Sequence, residues 1–206
     1  MKFSVIIPTM WKSEYTPELL DRLCECDYVG EVIIIDNNPY GFKADHWKIK
    51  VVTKGYNIYV NPSWNVGVEL AKYDNICLCN DDVLFNPSVF EFLSKQMGNG
   101  VYGISTENYY LNGDSIFTYN PIKSRCWGWG CVIFLKKKHY INIPSDLLIA
   151  CGDDFLISRL PAFEVKGLKV VTKISTTSFD PIYFPIQDND LKLYKEKYAI
   201  STNDDL

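Results

Sequence analysis

Three apolar runs, each ending in a polar turn, constrain the fold of this 206-residue chain more than any other feature. The runs and their turns are residues 3–7 with Pro8-Thr9, residues 32–35 with Asp36-Asn37-Asn38, and residues 76–79 with Asn80-Asp81-Asp82. A continuous run rich in β-branched residues is typical of a central parallel strand that is covered on both faces. Ligands bind to open α/β sheets at the carboxyl ends of the strands, so three polar turns at that edge indicate a ligand site.

Helix signals lie between these strands. Thr16-Pro17-Glu18 predicts a helix start, with Thr16 as the N-cap and Pro17 at the first helical position. Further helices are expected at about 61–72 and 87–97, and another short strand at 49–53. The resulting order of strands and helices predicts an α/β fold with an open, mostly parallel sheet.

The sequence changes character from Gly98 onward, where glycine, asparagine and tyrosine are dense. The predicted elements are strands at 102–106, 115–118 and 131–135, a helix near Asp153, a strand or hairpin at 165–174, and a helical, charged tail after 188. We expect a single domain over residues 1–206. It comprises a nucleotide-binding half at about 1–97, an acceptor and catalytic half at about 98–190, and a charged tail at 191–206.

Charge and composition exclude several classes of protein. The net charge of −4 argues against a general nucleic-acid binder, which would present a basic surface. No apolar run approaches the ~18 residues of a membrane span, and the first residues do not resemble a signal peptide. The seven cysteines include no C-x-x-C spacing, which favours free, mostly buried thiols in a reducing compartment. We therefore expect a cytoplasmic protein, or a domain of a longer chain.

Two pairs of adjacent aspartates are the residues best suited to chemistry. Asp81 and Asp82 follow an apolar strand and repel each other, so a divalent cation bound through oxygen is a natural partner. A solvated turn or a helix cap explains them equally well. Asp153 and Asp154 precede an amphipathic run, where one could serve as a general base at a helix start. Alternatively, both are acids favoured by the helix dipole.

Two other features allow both a functional and a structural interpretation. Asp36 ends the second strand, where its carboxylate could accept a hydrogen bond from a nucleobase or a ribose, or simply cap a turn. Trp127 and Trp129 alternate with Gly128 and Gly130. Their rings could form a platform for a sugar, or could anchor a loop to the core.

The order of these motifs resembles that of the inverting family 2 glycosyltransferases, which have the GT-A fold. The segments that carry the resemblance are residues 3–9, 32–37, 61–71, Asn80-Asp81-Asp82, 130–137, 152–159 and 167–171. They look like the opening strand, the strand of the base-binding aspartate, the N-x-G-x-x-x-A helix, the D-x-D motif, a strand ending in basic residues, the E-D motif and the strand after it. The resemblance covers roughly residues 1–180.

The resemblance implies a GT-A fold, with a mostly parallel central sheet flanked by helices and a small antiparallel portion on the acceptor side. It implies transfer from a nucleoside diphosphate sugar, a UDP-sugar above all, to a glycan hydroxyl, with Mn²⁺ or Mg²⁺ as cofactor. The implied roles are catalysis by Asp154 and Asp153, metal binding by Asp82, nucleotide binding by Pro8, Thr9, Asp36, Asn65, Asn80 and Asp81, and sugar binding by Trp127 and Trp129. The compact chain is also similar to glycosyltransferase domains of large algal viruses, which implies a host cytoplasm.

Three positions depart from the family pattern. Asn80 replaces the first D-x-D aspartate, Asp153 replaces a glutamate, and residues 175–178 lack the histidine that often binds the metal. Phosphate and water, or Asp180, would then complete the coordination by Asp82. Two alternatives stay open: a non-catalytic sugar- or partner-binding module, and a nucleotidyltransferase. The second is disfavoured because no glycine-rich phosphate loop follows the first strand.

Overall fold

The computed structural model of the chain describes residues 1–41, 44–173 and 180–200. The strands are β1 Phe3–Thr9, β2 Val29–Asp36, β3 Ile49–Thr53, β4 Asn75–Cys79, β5 Val83–Phe85, β6 Val101–Ile104, β7 Thr118–Ile122, β8 Val132–Lys136, β9 Ala162–Lys166 and β10 Val170–Thr172. The α-helices are α1 Thr16–Glu25, α2 Val60–Leu70, α3 Ser88–Gln96, α4 Gly152–Ile157 and α5 Phe184–Leu193. Residues 175–178, which replace the family's histidine region, lie outside the described residues.

Eight strands form one twisted layer in the order β3-β2-β1-β4-β8-β6-β9-β7. All of them run in one direction except β7 and β8. A separate antiparallel ribbon joins β10 to β5. The predicted α/β class and mainly parallel sheet are therefore confirmed. The sheet takes strands from both predicted halves of the chain, and the boundary between those halves stays a prediction.

The central strands are buried along their whole length, as their continuous apolar runs predict. Every residue of β1, β2 and β4 is buried. One face of the sheet packs on α1 and α3, and the other packs on α2 and α4. At Gly67 in α2, a Cβ would lie 2.2 Å from Cγ2 of Ile6. Only glycine lets this helix approach β1 so closely, which brings the start of α2 to the carboxyl edge of the sheet.

Several predicted details of the fold are wrong. Thr16 is the first residue of α1 rather than its N-cap, and its hydroxyl donates to the Asp81 carbonyl at 3.0 Å. The strand expected at 115–118 lies at Thr118–Ile122, and the 165–174 region contains the end of β9 and then β10, which belong to different sheets. The last helix begins at Phe184, before the predicted tail, and continues into a π-helical turn at Tyr194–Tyr198.

No disulfide links the cysteines, and no helix of the described residues is suited to crossing a membrane. All seven cysteines are free thiols, and Cys77, Cys79, Cys131 and Cys151 are buried, as expected from their spacing. Within the described ranges, no helix has both the length and the apolar composition that a membrane-crossing segment requires.

Candidate active site

The three polar turns meet at one cavity of about 410 Å³. From the first half of the chain, Pro8, Thr9, Asn37, Asn80, Asp81 and Asp82 line it. From the second half, Arg125, Trp127, Gly130, Cys131, Cys151 and Asp153 line it. Tyr59, Asn61 and Trp64 at the start of α2 and Tyr183 and Gln187 near α5 complete the wall. Residues distant in sequence, including members of both aspartate pairs, thus share one cavity.

The first aspartate of the β4 turn is held by threonine hydroxyls. Thr9 Oγ1 donates to Asp81 Oδ2 at 2.5 Å, and Thr16 Oγ1 donates to the Asp81 carbonyl at 3.0 Å. The first bond joins the end of β1 to the turn after β4, and the second joins α1 to the same turn. Burial raises the pKa of Asp81, and the Thr9 hydrogen bond partly opposes that rise.

The second aspartate of this turn is poorly compensated. Asp82 Oδ1 is buried and has no hydrogen-bond partner among the described residues. Burial, followed by the nearby Asp81 carboxylate, raises the pKa of Asp82 to about 6. A carboxylate in this setting suits a bound cation, since a buried charge without a partner is costly.

The protein supplies few other ligands for such a cation. In the part of the chain that the structure describes, no group of three or more histidine, cysteine, aspartate and glutamate side chains could hold a metal ion. Asp180 caps a 3₁₀ turn by accepting from the Ile182 amide, and its other oxygen lies 3.8 Å from Lys12 Nζ. Magnesium commonly binds through one or two carboxylates plus substrate phosphates and water. The chemistry of Asp82 therefore fits a cation that a diphosphate also coordinates.

Two more polar atoms of the cavity residues lack partners. Asn61 Oδ1 and Trp64 Nε1, both on α2, are buried without a hydrogen bond among the described residues. Buried polar atoms are nearly always paired. Their residues line the same cavity as Asp82, which favours a polar ligand. Both residues lie in the N-x-G-x-x-x-A segment, but that segment gave no sign that Asn61 and Trp64 would face the cavity.

The other aspartate pair lies at the start of α4 and has its own cation. Arg125 Nε is 2.7 Å from Asp154 Oδ1 and 3.3 Å from Asp153 Oδ2. Asp153 Oδ1 also accepts from the Asp154 amide at 3.0 Å. Burial raises the pKa of Asp153, and Arg125 opposes that rise. Arg125 was not predicted, because a single arginine in a loop has no sequence signal that assigns its partner.

A buried aspartate from α5 supports the segment that leads into α4. The Asp190 carboxylate, which is fully buried, accepts from the amides of Leu148, Ile149 and Ala150 at 2.7–3.1 Å. Four residues after Asp190, the Tyr194 hydroxyl donates to the Asp154 carbonyl at 3.2 Å. The C-terminal segment therefore fixes the backbone that carries the acid pair, a role that its charged composition did not reveal.

Backbone strain is concentrated around the cavity. The described non-glycine residues with positive φ are Trp11 (59°), Tyr59 (66°) and Cys151 (62°). Tyr59 and Cys151 line the cavity, and Trp11 lies between lining residues Met10 and Lys12. Each such conformation costs roughly 1–3 kcal/mol and is typical of ligand sites.

The two tryptophans of the glycine-flanked segment have opposite environments. Trp127 is 54% exposed and lines the cavity, as a sugar platform requires. Trp129 is fully buried, and its Nε1 donates to the Phe163 carbonyl at 2.9 Å. Its ring packs so closely on Gly103 that a Cβ there would lie 2.2 Å away. The sugar-binding prediction is wrong for Trp129, which anchors the loop to the core.

Two predicted nucleotide contacts are not brought to the cavity. Asn65 uses its amide to donate to the Ile143 carbonyl and to accept from Tyr140 and the Ile143 amide, so it fastens α2 to a neighbouring loop. Asp36 is fully buried and accepts from Trp11 Nε1, Thr53 Oγ1 and the Asn38 amide. Both side chains have structural partners in place of a ligand, whereas Pro8, Thr9, Asn80 and Asp81 line the cavity.

Similar folds occur among solved glycosyltransferase structures. S. aureus TarS 1-349 superposes with a TM-score of 0.56 at 18% identity, over 80% of this chain and 58% of that one. The mannosyltransferase PcManGT from Pyrobaculum calidifontis, in complex with GDP-Man and Mn²⁺, gives 0.53 at 15% identity over 78% and 53%. A197 from STIV gives 0.53 at 16% identity over 84% and 86%. The chain thus spans little more than half the length of the first two, and the GT-A fold is confirmed.

Sequence comparison identifies the family. No curated protein sequence matches the chain. The family model described as glycosyl transferase family 2 matches residues 4–162, a range that includes both aspartate pairs. This match covers most of the 206 residues. The chain therefore belongs to glycosyl transferase family 2.

Proposed function

We propose that this protein transfers a sugar from a nucleoside diphosphate sugar to a glycan hydroxyl, with inversion at the anomeric carbon. The observation that carries the proposal is one cavity lined by Asp82 and Asp153, with Arg125 of its wall paired to Asp154. Membership of the family supports a nucleotide-sugar donor. Structures with this fold include TarS in complex with UDP and PcManGT with GDP-Man and Mn²⁺, and the family resemblance favours UDP here.

Asp154 acts as the general base of the transfer. Its carboxylate takes the proton of the acceptor hydroxyl, whose oxygen attacks the anomeric carbon on the face opposite the diphosphate. The new C–O bond forms as the bond to the diphosphate breaks, and the diphosphate leaves with the bonding electrons. Arg125 Nε donates to Oδ1 at 2.7 Å, and Oδ2, which has no hydrogen bond among the described residues, is the oxygen that takes the proton.

Asp82 would hold Mn²⁺ or Mg²⁺, with the diphosphate of the donor supplying further oxygen ligands. When bound, such a cation stabilises negative charge on the leaving diphosphate. Asp81 serves the site differently, because Thr9 and Thr16 hold it and thereby fix the turn that presents Asp82. Pro8, Thr9 and Asn80 form the adjoining wall for the nucleotide, and Asn61 and Trp64 offer it unpaired polar atoms.

The test is turnover of defined donors. The protein is incubated with Mn²⁺ and a panel of UDP-sugars and GDP-mannose, and release of nucleoside diphosphate is measured with and without EDTA. Cation-dependent hydrolysis or transfer supports the proposal, and NMR of the product's anomeric configuration tests inversion. Release of pyrophosphate from a nucleoside triphosphate would indicate a nucleotidyltransferase instead. Ligand binding without any turnover would indicate a non-catalytic module.

A further inference from the structure

A second groove, of about 410 Å³, lies beside the catalytic cavity. Tyr109, Tyr110 and Trp127 form one side of it, and residues 169–173 form the other. Trp127 lines both spaces, so its indole is a wall common to the groove and the cavity. A molecule that extends out of the catalytic cavity past Trp127 enters this groove.

The groove exposes three large apolar or aromatic side chains. Tyr110 is 76% exposed, Trp127 is 54% exposed and Val171 is 39% exposed. Large apolar side chains gathered on one surface mark interaction sites more often than single exposed residues do. The other lining residues include two lysines and a threonine, and none of the described lining residues is acidic.

The aromatic side of the groove is held in place before any ligand arrives. Thr106 Oγ1 donates to the Trp127 carbonyl at 2.8 Å, and the Tyr109 hydroxyl donates to the Gly128 carbonyl at 2.7 Å. The Tyr109 and Trp127 rings pack edge to face at 5.1 Å. Gly128 has a φ of 77°, and a Cβ there would lie 2.5 Å from the Tyr109 ring. A rigid aromatic surface loses little entropy when it binds a ligand.

The opposite side is tied to the catalytic centre. Its strand β10 pairs with β5, which directly follows the Asp81-Asp82 turn. At the start of this side, the Lys169 amide donates to Asp114 Oδ1 and Lys169 Nζ donates to the Asn112 carbonyl. Both walls of the groove therefore have a fixed position relative to the reacting groups.

From this arrangement we infer that the acceptor is an oligosaccharide, with its reacting sugar in the catalytic cavity and its next sugar units in the groove against Trp127 and Tyr110. The inference rests on the proposed function and names its acceptor class. A pyranose ring has an apolar C–H face that packs on an aromatic ring and hydroxyl groups at its edge. The fixed Trp127 ring, the exposed Tyr110 ring and the wall that the groove shares with the cavity match a chain of such rings.

The experiment compares acceptors of different length. Methyl glycosides of glucose, galactose, mannose and N-acetylglucosamine, each with one to four sugar units, are assayed with the donor that wild type hydrolyses. Wild type is expected to prefer two or more units over one by about tenfold in kcat/KM, corresponding to one or two aromatic contacts. Tyr110→Ala, at an exposed position, is expected to lower that preference through a higher KM for the longer acceptors. Tyr40→Ala, at a tyrosine 92% exposed and outside both spaces, is the matched control and keeps the preference.

Each other outcome counts against the inference. It is overturned if wild type uses one sugar unit as well as several, if Tyr110→Ala keeps the wild-type preference, or if only peptide or lipid acceptors are used. Donor hydrolysis without transfer to any glycan also overturns it, and then supports only the use of a nucleotide-sugar donor. If neither hydrolysis nor transfer occurs with any donor, the proposed function fails first.

Discussion

Two pairs of adjacent aspartates contribute residues to one cavity, and the two pairs differ in their charged partners. Asp153 and Asp154 share Arg125, whose Nε lies within 3.3 Å of both carboxylates. Asp81 and Asp82 form no ion pair among the described residues, and Asp82 Oδ1 has no hydrogen-bond partner there. One pair has a cationic partner in the protein, whereas the other is left for a positive ligand.

This difference separates two kinds of chemistry. In the proposed mechanism, the pair that an arginine holds in place supplies the general base of the transfer. A buried carboxylate without a cation costs the folded protein stability until one binds. The contrast explains why two chemically identical pairs can have different roles, and the following substitutions test it.

Asp154→Asn removes the proposed general base and has the largest expected effect. The amide cannot take a proton, so transfer is expected to fall about 10³-fold while binding of the nucleoside diphosphate is unchanged. Turnover assays and calorimetric titration with UDP measure the two quantities. Asp21→Asn on the exposed face of α1 is the matched control. Normal turnover by Asp154→Asn would remove this residue from the mechanism.

Asp82→Asn tests the uncompensated pair. Loss of the carboxylate is expected to reduce activity at least about 100-fold, since a catalytic cation contributes several kcal/mol. In the absence of metal, the same change is expected to raise the free energy of unfolding by about 1 kcal/mol, because it removes a buried charge without a partner. Asp154→Asn should lower it instead, because it breaks an ion pair. Urea denaturation of both variants compares the signs, and equal signs would contradict the comparison.

Asp190→Asn tests whether the second pair depends on its distant support. An asparagine keeps one acceptor oxygen but loses the charge that binds three backbone amides. We expect the free energy of unfolding to fall by about 2 kcal/mol. Asp188→Asn, exposed on the same helix, should change it by less than about 0.5 kcal/mol. Urea denaturation measures both, and two equal effects would show that the Asp190 contacts do not matter.

Substitution of Arg125 has the smallest expected effect and tests whether this arginine compensates the charge of Asp153 and Asp154. Arg125→Ala is expected to lower kcat/KM about tenfold at pH 8 and further at pH 6. The sign follows from the charge: Arg125 lowers the pKa of Asp153, so its removal raises that pKa further and favours protonation of Asp153 as the pH falls. Arg125→Lys keeps the charge and should recover part of the loss. A pH–rate profile of Arg125→Ala parallel to that of wild type would exclude a role for Arg125 in charge compensation.

Much of the fold could be predicted because its signals are local. The run at 32–35 that became the centre of β2 is continuously apolar and β-branched, which is typical of a strand covered on both faces, and the runs of β1 and β4 are short and mostly apolar. β5 was missed because three residues carry no periodicity, and β7 was misplaced because it is a partly exposed edge strand that contains Pro121.

The candidate site was predictable in its polar turns and less so in its individual contacts. Pro8, Thr9, Asn80, Asp81 and Asp82 reach the cavity because the ends of parallel strands meet at one edge. Asp36 ends a strand at the same edge and is buried under hydrogen bonds from Trp11 and Thr53. Trp127 and Trp129 are two residues apart, yet Trp127 is exposed and Trp129 is buried, because the Trp129 ring packs on Gly103.

The sequence by itself determined where strands end and which acidic and aromatic residues follow them, because backbone propensity and hydrophobic pattern act over a few neighbouring residues. Only the tertiary structure decided which charges meet. Arg125 is 29 positions from Asp154, and Asp190 is 40 positions from Ala150. Pairs this far apart are brought together by the packing of whole elements, and the free energy of a buried charge depends on that partner far more than on its neighbours in sequence.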